Sequence, residues 1–350
     1  MTLLARRFPK LSLVPHVPLA GTTPVQRLAI PGVASEAWVK RDDLTSARYG
    51  GNKVRKLEFL LGDARKKERD LLVASGAFGS HHVLATTLFG RQWGFDVHAV
   101  LVPQPWNDHV EENLRVGLGA GMTPHPVRSW AAVPPTQAAL AATLRLEGRR
   151  PYRVAYGGSS AIGALGYVEA GLELAAQVEA GALPEPDTVF VALGSGGTAA
   201  GLAIGLAAIG VTAKVVAVRV TPALVCNRAT VAALVASTMK KIRDVEPAFP
   251  AVGRAALAQI EIDASRFGEG YGTADDAATE ATAIAASFDL ALDPTYTARA
   301  FASFLAHVRG EHAKKTLFWH TLSNVDLAPI AATSPEVPIA LREMAFAQSF

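Results

Sequence analysis

The sequence predicts an α/β protein with mainly parallel sheets flanked by helices. Short β-branched runs alternate with longer Ala- and Leu-rich stretches, the longer stretches carry helical spacing, and the short runs close on Gly, Ser, His or Pro. In order, the candidate strands are residues 71–75, 96–102, 188–193, 214–220 and 316–320. Val54, Leu57, Leu60, Leu61 and Ala64 fall on one helical face, and residues 133–151 read as a surface helix with turns around it. The small residues of 199–208 suit a helix lying close on a sheet. Ligands of open α/β sheets bind beyond the carboxyl ends of the strands, so the strand ends are the positions to search.

Composition narrows the function classes. A chain of 350 residues, 50% hydrophobic and 19% charged, is too apolar for disorder and long enough for two domains or one large unit. The formal charge of +3 comes without a basic tract: Arg65-Lys66-Lys67 and Lys240-Lys241 read as solvated helix ends, and no nucleic-acid partner is expected. Cys226 is the one cysteine, which excludes an intrachain disulfide and fits a buried structural role in a reducing compartment. Charges and prolines break the N-terminal segment before an apolar core can form, so no signal peptide is expected. The longest apolar run, 199–211, contains three glycines and falls short of the ~20 residues a membrane helix needs. A soluble cytoplasmic protein with no membrane contact is the expectation.

The string TVFVALGSGGTAAG at 188–201 joins a buried strand to a small-residue helix through Gly194, Ser195, Gly196, Gly197 and Thr198. A glycine-rich turn there bares backbone N–H groups at a helix N-terminus, a cradle for a phosphate without any lysine, with Ser195 and Thr198 adding hydroxyls. A tight glycine turn with no ligand fits the same string. No Lys-Ser/Thr pair follows Gly197, against a Walker loop. The glycine spacing, and Arg219-Val220 where an acidic residue should close the next strand, oppose a dinucleotide site. A smaller phosphorylated cofactor remains.

The string RYGGNKVRKLE at 48–58 places a Gly50-Gly51 turn and the N-capping type Asn52 before Lys53, in the first turn of a helix. A cation at that end opposes the helix dipole, which favours the neutral amine able to form a Schiff base with an aldehyde. By position alone an exposed helix-start lysine is the simpler reading, and Arg55 and Lys56 read that way.

A phosphate cradle together with a Schiff-base lysine points to pyridoxal 5'-phosphate, and here the chain resembles the D-cysteine desulfhydrase and 1-aminocyclopropane-1-carboxylate (ACC) deaminase family. The resemblance runs from about Leu28 to Ile330. Its landmarks, in order, are KRDDLTS at 40–46, GGNKVRKLE at 50–58, SHH at 80–82, GGSSAIGALGYVEA at 157–170, GSGGT at 194–198 and LDPTYTARA at 292–300. It implies the tryptophan synthase β-like fold (fold type II), with two open twisted, mainly parallel sheets. It also implies a large cofactor-binding domain of 1–53 and 160–350, and a small domain of 54–159. Lys53 resembles the lysine that carries the cofactor and moves the substrate's Cα proton, and the Gly194–Thr198 turn resembles the phosphate cradle. Ser80 resembles the α-carboxylate site, Tyr296 the active-site tyrosine, and Thr321 the threonine beside the pyridine nitrogen. A neutral hydroxyl beside that nitrogen weakens the electron sink and suits β-elimination.

ACC deaminases of this family have Glu after the tyrosine, whereas desulfhydrase-like members have Thr. Here Tyr296 is followed by Thr297, which favours α,β-elimination from D-cysteine or a close analogue, to 2-oxo acid, ammonia and sulfide. ACC deamination, or another amino-acid deamination by a reshaped pocket, is the alternative, and a protein that binds the cofactor without turnover is a third reading. Two departures touch the cofactor. His81 stands where the family has an asparagine donor to the 3'-oxygen, and His320-Thr321-Leu322-Ser323 stands where it reads His-Thr-Gly-Gly. Adjacent His81 and His82 rarely direct both rings at one ion, so no metal is expected. Asp42 and Asp43 read as turn and salt-bridge residues, and Trp93, Trp106, Trp130 and Trp319 as packing. The family's habit implies a homodimer.

Overall fold

The computed structural model describes residues 1–267, 276–310 and 314–346. Its strands are β1 (Val25–Arg27), β2 (Glu36–Arg41), β3 (Leu71–Ala77), β4 (Asp96–Val102), β5 (Met122–Pro126), β6 (Pro151–Arg153), β7 (Thr188–Leu193), β8 (Lys214–Arg219), β9 (Ile260–Asp263) and β10 (Lys315–His320). The helices are α1 (Leu3–Arg7), α2 (Asn52–Lys66), α3 (His81–Gln92), α4 (Asp108–Gly119), α5 (Val133–Leu146), α6 (Leu165–Glu179), α7 (Gly197–Ala208), α8 (Arg228–Val245), α9 (Gly253–Gln259), α10 (Asp276–Ala286), α11 (Thr297–Val308), α12 (Ala328–Thr333) and α13 (Ile339–Phe346).

Contacts divide the chain into one unit of residues 1–59 and 159–324 and another of 60–158 and 325–350. The first holds a six-stranded sheet in the order β1-β2-β10-β7-β8-β9. Every pairing in it is parallel except the edge hairpin β1–β2, where Val25 faces Lys40. Both faces are covered, so the central strands read as continuous apolar runs. Val189, Val191, Val215, Leu317 and Trp319 point toward the cluster containing α6 and α7 residues, while Phe190, Val216 and Phe318 join Phe301 and Phe304 of α11. Each such side chain contributes ~1.5–3 kcal/mol by leaving water.

Two close approaches need glycine. A Cβ on Gly201 of α7 would stand 2.3 Å from the Ala164 carbonyl, and one on Gly166 of α6 would stand 2.0 Å from the Arg55 carbonyl of α2. Backbone therefore packs on backbone around the start of α2 and the start of α7, the two segments that carry the predicted chemistry.

The second unit holds the four-stranded parallel sheet β5-β4-β3-β6. Its core joins Phe78, Val83, Val110, Leu114 and Met122 to Val337, Leu341 and Ala345 of the C-terminal segment. Arg342 pairs with Glu111 at 2.7 Å, and Arg115 donates to the Ser334 carbonyl at 3.0 Å. The C-terminal residues thus pack with 60–158, where the sequence reading placed all of 160–350 in the other unit. A short proline-punctuated tail does not say in sequence which apolar surface it will cover.

Candidate active site

Asn52 and Lys53 open α2, and the chain reaches them through a loop tied to the end of β10. The Asn52 N–H donates to the Thr321 carbonyl at 3.1 Å, and the Gly51 N–H to the Asp42 carbonyl at 2.8 Å. Gly51 has φ +88°, and a Cβ there would stand 2.7 Å from the Thr321 carbonyl. The Gly50 N–H donates to the Ser323 hydroxyl at 2.9 Å. Ser323, one of the two departures after Thr321, thus holds the lysine-bearing loop.

The Lys53 amine donates to Asn52 Oδ1 at 2.9 Å, and Asn52 Nδ2 donates to Thr198 Oγ1 at 3.2 Å. One asparagine thereby joins the lysine to the glycine turn, far away in sequence. Removal from water pulls the Lys53 amine down to about 8, with the Asp293 carboxylate acting in the opposite sense.

The turn itself is Gly194, Ser195 and Gly196, followed by Gly197 and Thr198 in the first turn of α7. Gly196 caps α7 at φ +87°, a conformation that L side chains rarely take. A Cβ on Gly197 would stand 2.5 Å from Ser159 Oγ, and one on Gly194 would stand 3.1 Å from the Tyr296 ring. Ser159 accepts the Gly197 N–H at 3.0 Å and shares a hydrogen bond with the Ser195 hydroxyl at 2.7 Å. Lys56 donates to Ser159 Oγ at 3.3 Å.

Lys56 and Arg55 correct the sequence reading, which left both as exposed helix-start residues. Each is only 2% exposed. Burial, and next the charge of Lys53, hold the Lys56 amine well below its ordinary value. Arg55 turns the other way, with Nη2 on Asp42 at 2.7 Å and Nη1 on Glu173 at 2.9 Å. Asp42 also accepts from Thr23, Tyr167 and Trp319, and Lys40 pairs with Glu173 at 2.5 Å. Asp42 is thus a fully buried hub, and Trp319 is a donor as well as a packing residue. Burial works to raise the Asp42 carboxyl, yet Arg55 and then Lys40 hold it below the usual carboxylate range.

Lys53, Gly194–Thr198, Tyr296 and Thr321 all lie in the first unit, linked by the contacts above. Sequence reasoning missed Ser159 and Lys56. The turn string gave no sign of a lysine beside it, and the signal for Ser159 was the hydroxyl pair in GGSS at 157–160.

Ser80 and His81 lie in the second unit. Ser80 caps α3, its hydroxyl accepting the Val83 N–H at 3.3 Å, and a Cβ on Gly76 would approach that hydroxyl closely. Gln104 accepts the Gly79 N–H at 3.3 Å, Asn113 donates to the Gly79 carbonyl at 2.9 Å, and His109 Nε2 lies 3.1 Å from that oxygen. The His81 ring lies 4.6 Å from that of His109, centre to centre. The segment before α3 is therefore fixed by side chains of α4 and of the loop that precedes it.

A glycine turn ringed by hydroxyls and a lysine, joined by one asparagine to a second lysine of lowered proton affinity, fits a phosphorylated aldehyde. Residues 17–321 match the family described as pyridoxal-phosphate dependent enzyme. The chain belongs to this family. Its cofactor is pyridoxal phosphate, and the fold is that of fold type II members. The D-cysteine desulfhydrase of Salmonella paratyphi B is 33% identical over 90% of this chain and 94% of its own length. That of Salmonella paratyphi A is 34% identical over 85% and 88%. Among solved structures, an ACC deaminase homologue is 29% identical, with TM-score 0.74 over 90% of this chain and 93% of its own. A T.th. threonine deaminase, at 18% identity and TM-score 0.62 over 93% and 99%, shares the fold.

Proposed function

We propose that this chain is a lyase of the D-cysteine desulfhydrase type, converting D-cysteine and water to 2-oxo acid, ammonia and sulfide. The observation that carries the reading is the Lys53–Asn52–Thr198 chain, which ties the amine to the turn that suits a phosphate. The chain length shared with the two desulfhydrases supports the same reading.

Pyridoxal phosphate, when bound, supplies an aldehyde that condenses with amines and a ring that makes the substrate's Cα proton acidic. Lys53 would hold the aldehyde and, once displaced by the substrate's amine, move the Cα proton. An amine near 8 is largely protonated at neutrality and still within reach of losing its proton, as a base working in both directions requires. The backbone N–H groups at the start of α7 would hold the phosphate, with the Ser195 and Thr198 hydroxyls. Lys56 would add a charge-assisted hydrogen bond there, so a lysine takes part where the sequence suggested backbone dipoles alone. Thr321 would stand beside the pyridine nitrogen and Tyr296 beside the substrate. By the family resemblance, Ser80 and its neighbouring amides would take the α-carboxylate, and His81 the cofactor's 3'-oxygen.

Thr297 separates this reading from ACC deamination. It is 1% exposed and its hydroxyl donates to Asp293 at 2.8 Å, so this position presents no carboxylate to a substrate. We further infer a homodimer in a reducing, cytoplasmic setting, supported by the family's habit and by the buried thiol of Cys226. No helix among the described residues is long and apolar enough to cross a membrane.

A panel of D- and L-amino acids with ACC, scored for 2-oxo acid, ammonia and sulfide, tests the reading. D-cysteine is expected to give all three and ACC no ammonia. Turnover of ACC with none of D-cysteine would replace it, and a loaded protein silent on the whole panel would leave a cofactor-binding protein without turnover.

A further inference from the structure

Asp293 lies four positions before the first residue of α11, and its carboxylate gathers the start of that helix. Oδ1 accepts the N–H groups of Thr295 at 3.0 Å and Tyr296 at 2.6 Å, while Oδ2 accepts the Thr297 N–H at 3.1 Å and the Thr297 hydroxyl at 2.8 Å. The Thr297 hydroxyl oxygen accepts the Asp293 N–H in return, at 2.8 Å. Each partner thus satisfies the other's backbone donor, the reciprocal logic of a helix cap. The result is the placement of Tyr296, the residue immediately before α11. Its ring stands so close to Gly194 that a Cβ on that glycine would approach to 3.1 Å.

The same carboxylate acts on the Lys53 amine, where its attraction opposes the effect of burial. Lys56, three positions further along α2, feels the charge of Lys53 in turn. Asp293 also acts on His320 at the end of β10, a ring that burial holds below its usual proton affinity. Asn52, which the amine touches, is neutral. With both oxygens engaged by local donors, the Asp293 charge is fixed in place.

We propose that Asp293 is a positioning residue of this site: its carboxylate, locked with Thr297 in a reciprocal cap, sets Tyr296 against the glycine turn through the start of α11. The proposal rests on the reading of Tyr296 as the tyrosine beside the substrate. Thr297 closes the cap, which gives the residue after the tyrosine a structural task.

The test compares Asp293→Ala, which removes both cap oxygens, and Thr297→Val, which opens the reciprocal half of the cap, with Asp293→Asn, which keeps one acceptor. Amide exchange at Thr295, Tyr296 and Thr297 is expected to speed up roughly fivefold in Asp293→Ala and in Thr297→Val. With cofactor and D-cysteine, KM is expected to rise roughly tenfold in both variants while kcat changes less, because Tyr296 loses its place beside the substrate, and Asp293→Asn is expected to restore part of the loss. Exchange unchanged at these amides, or a fall in kcat with KM unmoved, overturns the proposal. Should Asp293→Ala not fold, Thr297→Val carries both readouts. A protein that releases no 2-oxo acid defeats the elimination reading, while the exchange rates still decide the role of Asp293.

Discussion

Within its first turns α2 carries Lys53, Arg55 and Lys56, and its two sides treat these cations in opposite ways. Arg55 faces two carboxylates, Asp42 and Glu173, and its charge is answered inside the protein. Lys53 and Lys56 face an asparagine and a serine hydroxyl, and burial lowers the proton affinity of both. A cation matched by buried carboxylates holds the fold together. A cation set among hydroxyls, backbone N–H groups and a glycine turn suits an incoming anion or electrophile. One helix start therefore anchors on one side and, in the proposed reading, binds on the other, with the anchor aiming the binding side.

Substitutions on the two sides should fail differently. Lys53→Ala is expected to lower 2-oxo acid release from D-cysteine by roughly 10²–10⁴-fold and to remove the visible absorbance of the bound cofactor, with unfolding by urea unchanged. On the opposite side, Asp42→Ala leaves Arg55 with one buried carboxylate instead of two and removes the acceptor of the Tyr167 hydroxyl and the Trp319 indole N–H. Urea unfolding should show a loss of about 3–5 kcal/mol, whatever the cofactor content. Lys56→Met sharpens the contrast, because replacing an amine whose protonated form burial disfavours should leave thermal stability equal or higher. Cofactor affinity should fall by roughly 10–100-fold in a fluorescence titration, the size of one charge-assisted hydrogen bond.

The smallest expected effect concerns Glu58, further along α2. Its carboxylate accepts the N–H groups of Leu19 and Ala20 at 3.0 Å, and burial raises it to about 7. The folded protein holds this proton more tightly than the unfolded chain, so between about pH 4.5 and 7 this group's contribution falls as pH rises. Glu58→Gln should flatten that slope in urea titrations across the window, and a slope unchanged by the substitution contradicts the assignment.

The same helix shows what was legible in the sequence. Strands β7, β8 and β10 were readable because burial on both faces makes each an apolar β-branched run. Strand β2, EAWVKR, hides its nature, since Lys40 is buried against Glu173, 133 positions away. Strands β1 and β6 are three residues each, and β5 carries two prolines at a sheet edge, which reads as a turn. The Gly-Gly-Asn turn marked Lys53 as a helix-start lysine, and only the order of motifs around it singled it out. The fates of Arg55 and Lys56 were not legible, because distant carboxylates claim one and a distant serine meets the other. The order of motifs conveyed the cofactor before any distance was known, whereas the reciprocal cap of Asp293 and Thr297 emerged only from geometry.

Borohydride reduction of the protein loaded with pyridoxal phosphate, followed by peptide mass spectrometry, tests the central claim most directly. The account predicts a single reduced adduct on Lys53, with Lys56 unmodified. An adduct on Lys56 or on another lysine, or none on a protein that has bound the cofactor, would contradict it.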